Sequence, residues 1–282
     1  MSRRAYIETF GCQMNVHDSE RIAGLLEQSG YDLTDMPGDA DLIVLNTCSV
    51  REKAEDKLFS RLGVLSADTQ SSPPIIAVVG CLAQQEGARI IKRVSNVNVV
   101  AGTQAIRRLP LLVREAETSR SPQVDINPRD DVSFPLGVAV RHDPVKAYIT
   151  IIEGCNDHCA FCVVPYTRGH ERMRPALEIV AEAEQAVSTG RSEIHLLGQI
   201  VNHYTAPDLK DCDFARLLEL LQEVKGIRRI RFASPHPRHV TDRMLEAIRD
   251  LPSVCKHLHL PVQSGSTSVL KAMHRKHSAE QY

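Results

Sequence analysis

Glu153-Gly-Cys-Asn-Asp-His-Cys-Ala-Phe-Cys-Val-Val-Pro-Tyr-Thr-Arg-Gly169 carries three cysteines, Cys155, Cys159 and Cys162, in the spacing C-x3-C-x2-C. A structural zinc site usually takes four ligands, often as paired C-x2-C knuckles. This loop offers three thiolates and no evident fourth. Soft thiolates select iron–sulfur clusters, zinc or cuprous copper. A four-iron cube held by three cysteines keeps one iron open for a ligand. The spacing alone also admits a structural zinc loop or three separate buried thiols. The loop follows a strand-like run, Ala147-Tyr-Ile-Thr-Ile-Ile152. Strand exits are where α/β proteins and β/α barrels place their chemistry.

Working outward, the 282 residues suffice for one large or two medium domains, and 43% apolar residues support a sizeable core. A net charge of −1 provides no overall basic field to announce nucleic acid. With no Trp and 4% aromatic residues, stacking platforms for single-stranded RNA are sparse. The Met-Ser-Arg-Arg-Ala-Tyr-Ile start lacks an apolar signal core, and no apolar run reaches the ~18 residues of a membrane span. A cytoplasmic protein without membrane attachment is expected. Eight cysteines in a reducing compartment then argue for metal or catalytic use over disulfides.

The first third alternates strand-like and helix-like runs. Strands are predicted over Arg4–Phe10, Asp41–Asn46, Ile75–Val79 and Val97–Val100, the second continuous enough to be buried on both faces. Helices are predicted after Asp18 or Ser19 as cap, from about Arg51 to Leu65, from Gln84 to Val94 and from Gln104 to Glu117. Ser71-Ser-Pro-Pro74 breaks the pattern. Such alternation implies a parallel sheet covered by helices. Cys12, Cys48 and Cys81 each follow a strand, 36 and 33 residues apart. One buried cysteine would be unremarkable. Three in equivalent loops at one sheet edge point to a shared ligand.

Residues 119–144 turn polar and aperiodic and read as a linker, with a short hairpin around Val132 to Val140. From residue 145 the alternation resumes, with strands at Lys146–Ile152, Glu193–Leu197, Arg228–Ala233 and Lys256–Leu260. Helices are expected from Arg174-Pro175 to Thr189, over Phe214–Val224, over His239–Asp250 and from Thr267 onward. His257 and His259 share one strand face and could serve as ligands, but are expected to pack inside the barrel. Cys212 and Cys255 carry no pattern. The predicted class is α/β: an N-terminal parallel-sheet βα domain (1–118), a linker, and an incomplete (β/α) partial barrel (145–282). No Walker loop, G-x-G-x-x-G or nucleophile elbow is present.

The loop resembles the cluster-binding motif of radical S-adenosylmethionine (SAM) enzymes, C-x3-C-aromatic-C, with Phe161 in the aromatic place. Its extended form, Gly154-Cys-Asn-x2-Cys-x-Phe-Cys-Val-Val-Pro-Tyr-Thr-Arg-Gly169, is similar to the methylthiotransferase branch. So are Thr9-Phe-Gly-Cys-Gln-Met-Asn15 with Asp18-Ser-Glu20, Asn46-Thr-Cys-Ser-Val-Arg51, Val79-Gly-Cys-Leu-Ala-Gln84, Leu196-Leu-Gly-Gln199, Ser234-Pro-His-Pro237 and His259-Leu-Pro-Val-Gln-Ser-Gly-Ser266. The resemblance spans nearly the whole chain. Gly-Cys-Gln-Met-Asn is closer to tRNA-modifying members than to those acting on a ribosomal protein. Departures are Glu153 for the usual Arg, Met173 for Ser, Ile200 for Asn, and His274 and His277 for Asn and an aromatic. The family continues into a closed barrel and a C-terminal RNA-binding β-domain, which this sequence is expected to lack.

The resemblance implies two 4Fe–4S clusters, one on Cys155, Cys159 and Cys162 that binds SAM, and one on Cys12, Cys48 and Cys81 that carries or supplies sulfur. Phe161, Gln199 and Gln263 are implied at the SAM site, and Ser234, His236 and Arg168 are further candidates there. Arg168, Arg172 and Arg174 could meet phosphates or form a solvated basic face. The implied activity is transfer of a methylthio group to C2 of N6-dimethylallyladenosine beside the anticodon of tRNA. A base in a single-stranded loop can be presented without opening a duplex. Alternatives are action on threonylcarbamoyladenosine in tRNA or on a ribosomal-protein aspartate, or a non-catalytic iron–sulfur or zinc module. Implied partners are tRNA, an electron donor such as flavodoxin or ferredoxin, and a sulfur donor or iron–sulfur assembly system. A monomer is expected.

Overall fold

The computed structural model describes residues 2–50, 52–67, 73–128 and 138–282. Two compact units divide the chain. The first is Met1–Val140 with Tyr166–Arg168; the second is Arg141–Pro165 with Gly169–Tyr282.

In the first unit the elements run β1 (Arg3–Phe10), α1 (Gln13–Gln28), β2 (Tyr31–Leu33), β3 (Leu42–Thr47), α2 (Glu52–Ala67), β4 (Ile75–Gly80), α3 (Cys81–Glu86), α4 (Ala88–Arg93), β5 (Val99–Ala101), α5 (Leu109–Ser119) and β6 (Gln123–Asp125). They form one six-stranded parallel sheet in the order β2-β1-β3-β4-β5-β6. Alternation sorts the apolar side chains of each strand to opposite faces. Leu42, Val44, Ala77 and Val79 pack with Ile22 and Leu26 of α1 and with Leu109 and Leu112 of α5. Ile43, Leu45, Ile76 and Val78 pack with Leu58 and Leu62 of α2 and with Leu82 and Ile90. All six residues of β3 are buried. The short edge strands β2 and β6 escaped the sequence reading because three residues carry no measurable period.

Two helix starts differ from expectation. α1 begins at Gln13 with Cys12 as its N-cap, so Asp18 and Ser19 lie inside the helix and are buried. Its first turns are held by polar contacts, which a hydrophobic period does not register. The third predicted helix is two short ones, α3 starting at Cys81 itself and α4 following Gly87, whose φ of +51 breaks the turn. A 3-10 turn precedes α5 where a single helix was expected. The expected hairpin lies mostly outside the described residues.

The second unit contains β7 (Lys146–Thr150), β8 (Ile152–Glu153), β9 (Arg172–Met173), α7 (Ala176–Ser188), β10 (Glu193–Leu197), α8 (Phe214–Glu223), β11 (Arg229–Phe232), α9 (Asp242–Asp250) and α10 (Thr267–Ala272); α6 (Val164–Arg168) runs from it into the first. β11-β10-β7 form a parallel sheet, and β8 pairs antiparallel with β9. Ile149, Ile151, Ile194, Leu196 and Ile230 pack against Ile179 and Ala183 of α7 and Leu217, Leu218 and Leu221 of α8. α7 starts after Pro175 and is capped by a distant group: the Asp208 carboxylate accepts from the amides of Ala176 and Leu177 at 2.7 and 3.0 Å. The predicted strand Lys256–Leu260 does not form. A single bridge joins Ile230 to Val254, and then the His257 amide turns back to Cys255 O at 2.7 Å, which ends the extended run. His257 and His259 are therefore exposed, not enclosed.

Candidate cluster sites

In the first unit, Phe10 registers with Thr47 and Thr47 with Gly80. β1, β3 and β4 are adjacent and end at one level, so Cys12, Cys48 and Cys81 emerge side by side. β2 lies on one side of β1 and β3 on the other, a reversal of strand order that opens a crevice at the carboxyl edge. Cys48 holds the Cys12 pKa down to about 6, and Cys12 together with burial raises that of Cys48. Burial raises the Cys81 pKa, and Cys81 interacts electrostatically with Cys12.

Two asparagines from the quoted motifs, to which the sequence reading assigned no role, hold these loops in register. The Asn15 side-chain oxygen accepts from the Cys12 amide at 3.2 Å and its Sγ at 3.3 Å. The Asn15 amide donates to Asn46 Oδ1 and Thr47 O. Asn46 donates to Asn15 O and Ser19 Oγ, both at 2.9 Å, and Ser19 meets Thr9 Oγ1 at 2.7 Å. A side-chain amide three residues after Cys12 is the visible signal, because that is the reciprocal position of a helix cap. Gly80 has φ +94, and a Cβ there would lie 2.4 Å from Asn46 Oδ1.

In the second unit, the β8–β9 pair draws the ends of the cysteine loop together, and Glu153 registers with Arg172. Their 3.6 Å ion pair accounts for the acid at that position. Gly154 (φ +76) lets its backbone approach His170 O, where a Cβ would come to 2.1 Å. The Cys155 amide donates to Gly169 O at 3.1 Å and the Cys162 amide to Cys159 O at 3.0 Å. The Asp157 amide points at Cys155 Sγ at 3.4 Å, and Arg275 Nη1 at Cys159 Sγ at 3.5 Å. Burial pushes the Cys155 pKa up to about 11 and raises that of Cys162. Burial would raise the Asp157 pKa, but Lys276 at 2.6 Å and Arg238 outweigh it and hold it low.

Phe161, within the loop between Cys159 and Cys162, is 55% exposed. Gln199 follows β10, and its buried Oε1 has no hydrogen-bond partner, as suits a ligand contact. Asn202 locks the β10 exit to the β11 exit, donating to His236 O at 3.0 Å and accepting from His236 N at 2.8 Å. His236 is buried, whereas Ser234 is exposed at φ +62. Gln263 is exposed in the irregular segment after Val254, at φ +63. The candidate phosphate-binding arginines are engaged elsewhere: Arg168 with Asp18, Arg172 with Glu153, and Arg174 with Glu182 and Glu178.

The thiols fit clusters by their chemistry: each site presents three soft donors and no fourth cysteine. Among the described residues no three His, Cys, Asp or Glu side chains converge on one ion-sized point. A cavity of about 810 Å³ lined by Ile43, Arg61, Ile75 and Ile76 opens at the opposite edge of the first sheet and holds none of the cysteines. No helix among the described residues is long and apolar enough to cross a membrane.

Residues 4–102 match the model of Uncharacterized protein family UPF0004, and residues 149–282 that of the Radical SAM superfamily. The chain is 46% identical over 285 residues to the tRNA-2-methylthio-N(6)-dimethylallyladenosine synthase of Neisseria gonorrhoeae, covering 99% of this chain and 64% of that protein. It is 45% identical to the synthase of the same name from Ectopseudomonas mendocina, covering 100% and 64%, and 46% identical to that from Stenotrophomonas maltophilia, covering 99% and 60%. The chain thus spans a little under two thirds of the length of these relatives. Among solved structures, the radical S-adenosylmethionine methyltransferase TsrM of Kitasatospora setae matches with TM-score 0.67 at 11% identity, covering 99% of this chain and 64% of that one. The cobalamin-dependent radical enzyme OxsB matches with TM-score 0.64 at 13% identity, covering 100% and 46%. At such identities the likeness concerns the fold alone.

Proposed function

Because this chain belongs to the family that joins a UPF0004 domain to a radical SAM domain, we propose that it is the two-cluster part of a tRNA methylthiotransferase. The substrate named for its relatives, N6-dimethylallyladenosine in tRNA, is the substrate proposed here, modified at C2. The observation that carries the reading is the pair of three-cysteine sets, one in each unit: Cys155, Cys159 and Cys162 on a single loop, and Cys12, Cys48 and Cys81 on three adjacent strand exits. A ring carbon bearing only hydrogen offers polar catalysis no handle. When bound, an open-iron 4Fe–4S cluster with SAM supplies radical chemistry for that carbon, and a second cluster supplies sulfur.

The chain's own residues provide binding and placement. Cys155, Cys159 and Cys162 would hold one cluster on a loop closed by β8 and β9. Gln199, at the β10 exit, has a buried side-chain oxygen without a hydrogen-bond partner, and the Asn202–His236 pair keeps the two neighbouring strand exits from spreading. Cys12, Cys48 and Cys81 would hold the second, with Asn15 and Asn46 fixing their spacing. tRNA, a one-electron donor of the flavodoxin or ferredoxin class and a sulfur source complete the proposed system.

Anaerobic reconstitution with iron and sulfide tests the reading, with iron counting and a reductant-driven SAM-cleavage assay. About eight irons per chain and 5′-deoxyadenosine formation are expected. Cys159→Ala should abolish SAM cleavage and keep the iron of the other site. Cys48→Ala should keep SAM cleavage and lose sulfur insertion. Loss of all iron in either single variant would overturn two independent clusters, and zinc without SAM cleavage would reduce the chain to a binding module.

A further inference from the structure

α10 ends in a turn that lies against the cysteine loop of the second unit. Met273 is its C-cap, and His274 takes the left-handed conformation at φ +57. The His274 amide donates to Lys271 O at 3.0 Å and the Arg275 amide to Leu270 O at 2.8 Å, the paired bonds of a Schellman ending. His and Asn both tolerate positive φ, which accounts for His274 where the family's usual residue is Asn. The Met273 carbonyl, left over at the helix end, accepts from the Ala160 amide at 3.1 Å, one residue after Cys159. This turn delivers Arg275 to the loop. Its Nη1 donates to Cys159 Sγ at 3.5 Å, and its buried Nε has no hydrogen-bond partner. No carboxylate among the described residues pairs with this guanidinium. Asp157, on the loop, is taken by Lys276 at 2.6 Å and Arg238 at 3.4 Å. Burial, then Arg275, lower the pKa of both His236 and His277, so these rings supply no negative charge either.

We propose that Arg275 is a positioning residue for the cluster on Cys155, Cys159 and Cys162, donating to the Cys159 sulfur and raising that cluster's reduction potential. The proposal rests on the reading that these three cysteines hold a cluster. Its physical basis is an unbalanced charge. A part-buried cation without a counter-ion is unfavourable. A thiolate bound to iron at Cys159 supplies the missing negative charge where the guanidinium already points. Reduction brings in one electron from the donor, with no bond made or broken, and makes the site more negative. Net charge and hydrogen bonds to the sulfurs set the potential of such clusters. A fixed positive donor at a ligand sulfur therefore favours the reduced state. In a site shielded from water the guanidinium acts more strongly than the same charge in solvent. Arg275 acts through Cys159, with no contact to substrate required.

The test uses the full chain with Cys12, Cys48 and Cys81 replaced by Ala, so that iron reports the loop site alone. After anaerobic reconstitution, the potential is titrated by electron paramagnetic resonance for this parent and for added Arg275→Gln and Arg275→Lys. Arg275→Gln should lower the potential, and Arg275→Lys, which keeps the charge, should shift it less. A residue needed only for packing would give the opposite sign, because water admitted to the site favours the more charged, reduced state. An unchanged or raised potential in Arg275→Gln, or equal shifts in the Gln and Lys variants, overturns the proposal and leaves the cluster reading standing. Where the parent does not fold, the unaltered chain replaces it, its loop cluster picked out by the spectral change on adding SAM. A folded chain that binds no iron overturns both readings. Where Arg275→Gln alone binds no iron, iron retained in Arg275→Lys supports the proposal, and loss of iron there too overturns it.

Discussion

Asn46 donates its side-chain amide to the backbone carbonyl of Asn15 at 2.9 Å and accepts from the Asn15 side chain at 3.2 Å, so the two residues clamp α1 to the end of β3. Both are fully buried. Asn46→Ala leaves the Asn15 carbonyl and amide and the Ser19 hydroxyl short of a partner. The expected cost is about 2–4 kcal/mol, read as a shift in urea midpoint. Iron at the second site should fall with it, since Asn15 also holds Cys12. A shift of a few tenths of a kcal/mol would show that water replaces the clamp.

Gly80 and Gly190 form a matched pair, with φ of +94 and +95. At Gly190 an added Cβ meets nothing within 4 Å, whereas at Gly80 it would lie 2.4 Å from Asn46 Oδ1 and 2.7 Å from Thr47 O. Gly190→Ala should cost about 1–2 kcal/mol from backbone conformation alone. Gly80→Ala should cost clearly more, because Thr47 O is β3 backbone and cannot turn aside. Equal losses of stability in the two variants would contradict this account of the β4 exit.

Glu182 on α7 is buried between two arginines. One oxygen accepts from Arg141 Nη2 at 2.6 Å and the other from Arg174 Nη1 at 2.5 Å. Glu182→Ala strands the buried Arg141 and leaves Arg174 to the longer 3.6 Å pair with the part-exposed Glu178, and should destabilise by about 3–5 kcal/mol. Replacing Arg141, Glu182 and Arg174 together by apolar residues of similar volume should cost less than the single change. Thermal unfolding of both variants checks the order.

His236 is 2% exposed. Burial, then the nearby Arg275, hold its pKa down to about 3, with Asp157 opposing and His277 and His239 adding to the depression. The neutral ring is thus favoured in the fold. Its contribution is complete above the unfolded pKa of about 6.5 and is lost as pH falls from there toward 3, at a slope of at most about 1.4 kcal/mol per pH unit. His239, lowered to about 4, acts in the same direction. His236→Gln should flatten the fall in stability between pH 6.5 and 4. Parallel profiles for the two proteins would remove His236 as a cause of acid lability.

Much of the architecture was legible in local pattern. Continuous apolar runs such as Leu42–Leu45 announced strands buried on both faces, and the spacing of Cys155, Cys159 and Cys162 needed no fold to be read. The strand-exit positions of Cys12, Cys48 and Cys81 followed from βα alternation, because a parallel sheet aligns its carboxyl ends. What local pattern could not convey was register and partnership. That β1, β3 and β4 are neighbours ending at one level depends on which strands hydrogen-bond. The failure of the strand at Lys256–Leu260 likewise turned on missing pairing, not propensity. Arg168 is the clearest case. Its sequence places it six residues after Cys162, which suggested a phosphate contact. Its place beside Asp18, 150 residues away, arises because a buried charge must find its counter-charge wherever the chain brings one, and only the tertiary structure decides where that is.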